Sequence, residues 1–145
     1  VLPVTLATKW LSDVWDQNAA LYVMSPIASK LESICQNWLN QLFGLPKNTV
    51  AGFVSGTSIA TLSGLAAARF RQLQKLGWDV NQQGLFGAPK IRLILGKQTH
   101  GTVSKAISLL GFGHTSIEWV DCDDQGRVIA EKLPRLDSSC ILVLQ

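Results

Sequence analysis

The residues best suited to chemistry are Ser55-Gly56-Thr57-Ser58. They stand between a short apolar run, Val50-Ala51-Gly52-Phe53-Val54, that reads as a buried strand, and a long stretch of helical periodicity. In open α/β sheets, ligands collect where strands end and helices begin. A helix start carries unpaired backbone N–H groups and a partial positive charge, a combination that suits a phosphate. Gly56 lets the main chain approach an anion closely, and the Thr57 and Ser58 hydroxyls add donors. Without a ligand, the same residues would serve as a capping turn.

Thr99-His100-Gly101-Thr102-Val103 forms a second strand-to-helix junction, which should open on the same sheet edge. An imidazole there can stack on a planar ligand or move a proton; the plainer reading is a surface or capping residue. His114 has no assigned role. Gly56-Thr57-Ser58-Ile59-Ala60 also approaches the G-x-S-x-G elbow of serine hydrolases, with Asp79 and His100 as triad partners. Ala60 only approximates the motif's last glycine, and no second Gly-rich loop supplies an oxyanion hole. Asp121, Asp123 and Asp124 lack the full ligand spacing of a calcium loop and read as a solvated turn, so no metal site is assigned.

The elements that must position these residues follow from periodicity and punctuation. The spacing predicts helices over about Thr5 to Leu21, from Ser25-Pro26 to Gly44, and from Ser58 to Gly77. Trp38 and Phe43 fall on the apolar side of the second helix and are expected in the core; Trp10 and Trp15 could line a cleft or a subunit contact. Asp79 to Pro89 reads as a loop, Ile91 to Leu95 as a strand, and Val103 to Leu110 as a helix closed by Gly111. Ser116 to Val120 is a further strand. Ile129, Leu133 and Leu136 suggest a short helix despite Pro134, and Cys140 to Leu144 is a buried strand. Strands alternating with helices predict an α/β fold with a mostly parallel sheet.

Composition narrows the function classes. Of 145 residues, 47% are hydrophobic and 16% charged, too apolar for a disordered chain. Thirteen basic against ten acidic residues give a net charge of only +3, with no basic stripe for nucleic acid. No apolar run is long enough to span a bilayer, and the first residues lack the layout of a secretory signal, so neither membrane nor nucleic acid is expected as a partner. Cys35, Cys122 and Cys140 show neither metal nor redox spacing; they are expected as small core residues in a reducing, cytoplasmic setting. The apolar run at the end has no following crossover, which suggests a piece of a larger protein.

The ordered set Ser25-Pro26, Trp38-Leu39, Leu42-Phe43-Gly44-Leu45-Pro46, Gly52 to Leu62, Ala67-Ala68-Arg69, His100 to Ala106, Leu110-Gly111 and Asp123 to Arg127 resembles the pyridoxal-phosphate-dependent amino-acid decarboxylases. These are the aromatic-amino-acid and glutamate decarboxylase group of the aspartate-aminotransferase fold, fold type I. The resemblance implies a three-layer α/β/α domain with a seven-stranded, mostly parallel sheet, a homodimer, and pyridoxal 5'-phosphate as cofactor. Residues 1–24 would form an N-terminal helical segment, and residues 25–145 part of the large cofactor-binding domain.

By the same resemblance, Gly56, Thr57 and Ser58 would hold the cofactor phosphate, and His100 would stack on the pyridine ring as the catalytic histidine. The reaction would be decarboxylation of an amino acid condensed with the cofactor. Transamination, a carbon–carbon lyase reaction of the sphingosine-phosphate-lyase kind, or a non-catalytic phosphate-binding module remain open. None of the eight lysines stands in the family's His-x-x-Lys context. The cofactor-bearing lysine and the aspartate for the pyridine nitrogen are expected beyond Gln145, so the isolated fragment is expected to be inactive.

Overall fold

The computed structural model describes residues 1–15 and 17–144. The chain forms two compact units, Val1–Phe53 and Val54–Gln145.

The first unit holds helices α1 (Pro3–Val14) and α2 (Pro26–Leu42), each with Pro in its first turn, where a missing N–H costs nothing. α1 stops well short of Leu21, with Trp15 extended. Beyond it the Asn18 side chain accepts the Ala20 N–H at 3.1 Å, a local turn that competes with helix. α2 ends through Phe43, and Gly44 follows at φ 62°, the left-handed conformation that closes helices. Ser25 occupies the expected cap position, but its buried hydroxyl donates to Gln17 Oε1 at 2.9 Å and makes no cap bond. Asn40 donates to the Thr49 carbonyl at 2.9 Å and is buried by that tie.

The expectation that Trp38 and Phe43 are core residues is wrong for this chain, since each is 66% exposed. Helical spacing aligns them with Leu31 and Leu42 on α2, but a stripe is buried only where a facing element covers it. The expected strand over Val50 to Val54 also fails to form. Val50 is exposed, and residues 50–54 pair with no strand among the described residues. A strand exists only through its partners, and apolar composition alone does not supply one.

The second unit begins with α3 (Thr57–Lys75) and a one-turn helix α4 (Val80–Gln83) inside the expected loop. Then come β1 (Arg92–Gly96), α5 (Gly101–Leu109), β2 (Ile117–Val120) and β3 (Cys140–Val143). The strands lie in the order β2-β1-β3, all parallel, with Leu93 opposite both Ile117 and Ile141. Alternation sends Leu93 and Leu95 to one face, where they join Ile117 and Ile141. Leu65 and Leu73 of α3, and Val103, Ala106 and Ile107 of α5 with Leu110, complete that core. The fold is therefore α/β with a parallel sheet, as expected.

Ile94 is fully buried on the other face. There a Cβ on Gly96 would come within 2.8 Å of Val128 and 3.1 Å of the Cys122 sulfur, so the stretch after β2 lies against the strand. The short helix expected around Ile129 to Leu136 is reduced to a single 3-10 turn, Ala130–Lys132. Leu133 is extended, as a residue before proline must be, and Pro134 cannot extend the turn. All three cysteines are free and only half-buried, at the margins of the core and not inside it. Arg92 joins the strands at their amino ends, bonded to both Glu118 oxygens at 2.6 and 2.8 Å and to Asp137 at 2.8 Å. These bonds raise the Arg92 pKa and lower that of Glu118.

Candidate functional site

The direction of α3 decides whether its start faces the same way as that of α5. Late in α3, Arg69 Nη1 donates to the carbonyl of Leu110, just past α5, at 2.6 Å. One turn on, Gln72 Nε2 donates to the carbonyl of Cys140, the first residue of β3, at 2.5 Å. Cys140 pairs with Arg92 at the amino end of the sheet, so the late turns of α3 lie there. α3 and α5 therefore run side by side, both against the strand direction. At 1.5 Å per residue their starts rise about 18 Å and about 14 Å from the Arg69–Leu110 tie. Both helix starts, with Gly56-Thr57-Ser58 on one and His100 on the other, lie toward the carboxyl edge of the sheet.

The two starts differ chemically. α3 has no side-chain cap; Ile59 and Ala60 both donate to the Gly56 carbonyl, at 3.1 and 3.0 Å. Among the described residues, nothing accepts from the N–H of Thr57 or Ser58. Gly56 is extended, and a Cβ built on it would meet nothing within 4 Å. The result is a solvent-facing cradle of backbone donors, two hydroxyls and a helix-start charge.

α5 is capped instead. His100 Nδ1 accepts the Thr102 N–H at 3.2 Å and lies 2.9 Å from the Thr102 hydroxyl. Nδ1 is thereby engaged in the cap of α5. His100 is exposed.

The loop beneath His100 is held by its neighbours. Lys97 donates its backbone N–H to Val120 at 2.9 Å and its ammonium to Asp121 at 2.5 Å. Asp121 also takes Lys132 at 2.7 Å, and the two ammonium groups bring its pKa down to about 2. Gln98 lies so close to Gly126 that a Cβ there would be 2.9 Å from Oε1, and Gly126 has φ +82°. Sequence reasoning assigns Asp121 no part in the site, because the parallel pairing of β1 and β2 brings Lys97 to it and the 3-10 turn at Ala130–Lys132 brings Lys132. Asp123 behaves as a turn residue, accepting from Gln125 and Arg127 amides and from the Arg127 side chain.

The hydrolase constellation does not assemble. Asp79 caps α4, its carboxylate accepting from Asn81 at 2.9 Å and Gln82 at 3.3 Å. His100 Nδ1, the atom a triad would turn to an aspartate, is taken by Thr102. His114 Nε2 pairs with the Ser108 hydroxyl at 2.6 Å. A cleft of about 540 Å³ lined by Arg69, Ile91, Phe112 and Glu118 opens at the amino ends of the strands, away from Gly56 and His100.

In open α/β sheets, ligands collect at the carboxyl edge, and an uncapped helix start there leaves backbone donors open to an anion. The chain belongs to the pyridoxal-dependent decarboxylase family, matching that conserved domain over residues 3–140. It superposes on the crystal structure of mouse CSAD in apo form with TM-score 0.81 and 28% identity, over 92% of this chain and 27% of that one. The glutamate decarboxylase domain of a diaminobutyrate-pyruvate transaminase and L-2,4-diaminobutyrate decarboxylase from Vibrio parahaemolyticus gives TM-score 0.83 and 26% identity, over 90% and 29%. Oryza sativa TDC with PLP and tryptamine shares the fold at TM-score 0.71 and 24% identity, over 86% and 26%. The chain thus spans just over a quarter of the length of these structures. Pyridoxal phosphate is the cofactor of the family, and the donor set at Gly56 to Ser58 fits its phosphate.

Proposed function

We propose that this chain contributes the phosphate-holding and ring-facing part of the cofactor site in a pyridoxal-phosphate-dependent carboxy-lyase that acts on an amino acid. The observation that carries this reading is the uncapped start of α3 at the same sheet edge as His100. The amides of Thr57 and Ser58 bind the phosphate, their hydroxyls add donors, and Gly56 leaves room for close approach. His100, its Nδ1 tied to Thr102, offers a flat face on which the pyridine ring stacks. Asp121, through Lys97, steadies the loop that carries it. When bound, pyridoxal phosphate supplies an electron sink for the charge left as carbon dioxide departs. These residues orient the reacting bond and fix the ring.

The lysine that bears the cofactor and the aspartate that pairs with its ring nitrogen belong, on this reading, to the rest of the polypeptide. The complete enzyme is a cytoplasmic homodimer, and the 145 residues alone are inactive. The test is product analysis of the complete polypeptide, supplied with cofactor and a panel of amino acids. Carbon dioxide and the matching amine are expected. A keto acid without carbon dioxide would assign an aminotransferase instead, and no turnover of any amino acid would leave only a phosphate-binding module.

A further inference from the structure

We propose that Arg69 and Gln72 are positioning residues that set the distance between the phosphate donors of α3 and His100 at the start of α5. This rests on the cofactor reading above. The apolar contacts of Leu65 and Leu73 hold α3 against its neighbours, but such contacts are non-directional and leave its axial position loosely defined. Arg69 and Gln72 supply the missing direction. Each donates to a main-chain carbonyl of a different element, Leu110 after α5 and Cys140 at the start of β3. Each also leaves one buried polar atom, Arg69 Nε and Gln72 Oε1, without a partner among the described residues. An unsatisfied buried group lowers stability, so these side chains serve geometry better than they serve the fold.

The consequence appears at the far end of a stiff rod. A slide of α3 by one residue repeat moves the Thr57 and Ser58 amides about 1.5 Å relative to His100. The cofactor's phosphate and ring are covalently joined at a nearly fixed spacing. Their two holders must match that spacing, and an error on the order of 1 Å is costly.

The experiment uses the complete polypeptide carrying Arg69→Met, Gln72→Leu or Arg69→Lys. Dissociation constants are measured for pyridoxal phosphate and for pyridoxal, which lacks the phosphate, together with the melting temperature of the apo form. Arg69→Met and Gln72→Leu should each weaken pyridoxal phosphate by roughly tenfold and leave pyridoxal unchanged. Arg69→Lys should recover part of the loss, because an ammonium can still donate to Leu110. Equal weakening of both ligands, or a lower melting temperature with an unchanged ratio of affinities, would show a merely structural role and overturn the proposal. Should Arg69→Met fail to fold, Gln72→Leu and Arg69→Lys decide.

Gly56→Val serves as the control, since a Cβ on Gly56 meets no protein atom within 4 Å. It should lower the preference for pyridoxal phosphate at an unchanged melting temperature. An unchanged preference in Gly56→Val would overturn the cradle itself, and the positioning role with it. A lowered preference there, with none in the Arg69 and Gln72 variants, would overturn the positioning role alone.

Discussion

His100 combines two tasks that a single substitution would confuse. It caps α5 through Nδ1, and in the proposed site its ring face meets the cofactor. Alanine removes both, costing about 1 kcal/mol of cap stability along with the stacking surface. Asparagine is among the best N-cap residues and has no ring. His100→Asn should therefore keep the melting temperature of the parent and lose affinity for pyridoxal phosphate, whereas His100→Ala should lose both. Parallel thermal melts and cofactor titrations check this; a cofactor affinity equal to the parent in His100→Asn would remove the ring from the site.

At the scale of elements, the loop from β1 to α5 depends on charges supplied by later segments. Asp121 titrates at about 2 against an ordinary 3.8, chiefly through hydrogen bonds from Lys132 and then Lys97. A depressed folded-state pKa means that the native form binds fewer protons. Its stabilising contribution is complete above 3.8 and is lost as the pH falls toward about 2. Asp121→Asn should flatten the dependence of the unfolding midpoint on pH within that window, read by urea titration at a series of acid pH values. The effect should be small and should shrink with salt, because all three groups reach solvent. An unaltered acid profile would show that Asp121 does not hold the loop.

At the scale of the whole chain, apolar surface is the dominant feature. Trp10, Trp38, Phe43 and Phe86 are all largely exposed. No helix among the described residues is long and apolar enough to cross a membrane. The 145 residues expressed alone should bind a hydrophobic dye such as ANS strongly and form aggregates of no fixed size, while the complete polypeptide should leave the dye dark and stop at the proposed dimer. Dye fluorescence and light scattering of the two proteins compare them directly, and a monomeric, dye-silent short chain would contradict this.

Much of the architecture was written in local patterns. The periodicity from Ile59 to Leu76, the punctuation by Ser25-Pro26 and Gly44, and the apolar runs at Ile91 and Cys140 encode their elements through neighbours a few residues away. Gly56-Thr57-Ser58 and His100 stand out for the same reason, since small and polar residues at a helix start constrain the backbone locally. The sequence by itself thus determined the parallel α/β class, the order of the elements that do form apart from the one-turn α4, and the choice of candidate residues. Tertiary structure alone decided that Val50 to Val54 finds no strand partner, that Trp38 stays uncovered, and that Asp121 meets Lys97. It also brought Arg69 of α3 to the Leu110 carbonyl and Gln72 to that of Cys140. Pairing, burial and ion contacts join residues distant in the chain, and no local pattern specifies which distant surface arrives.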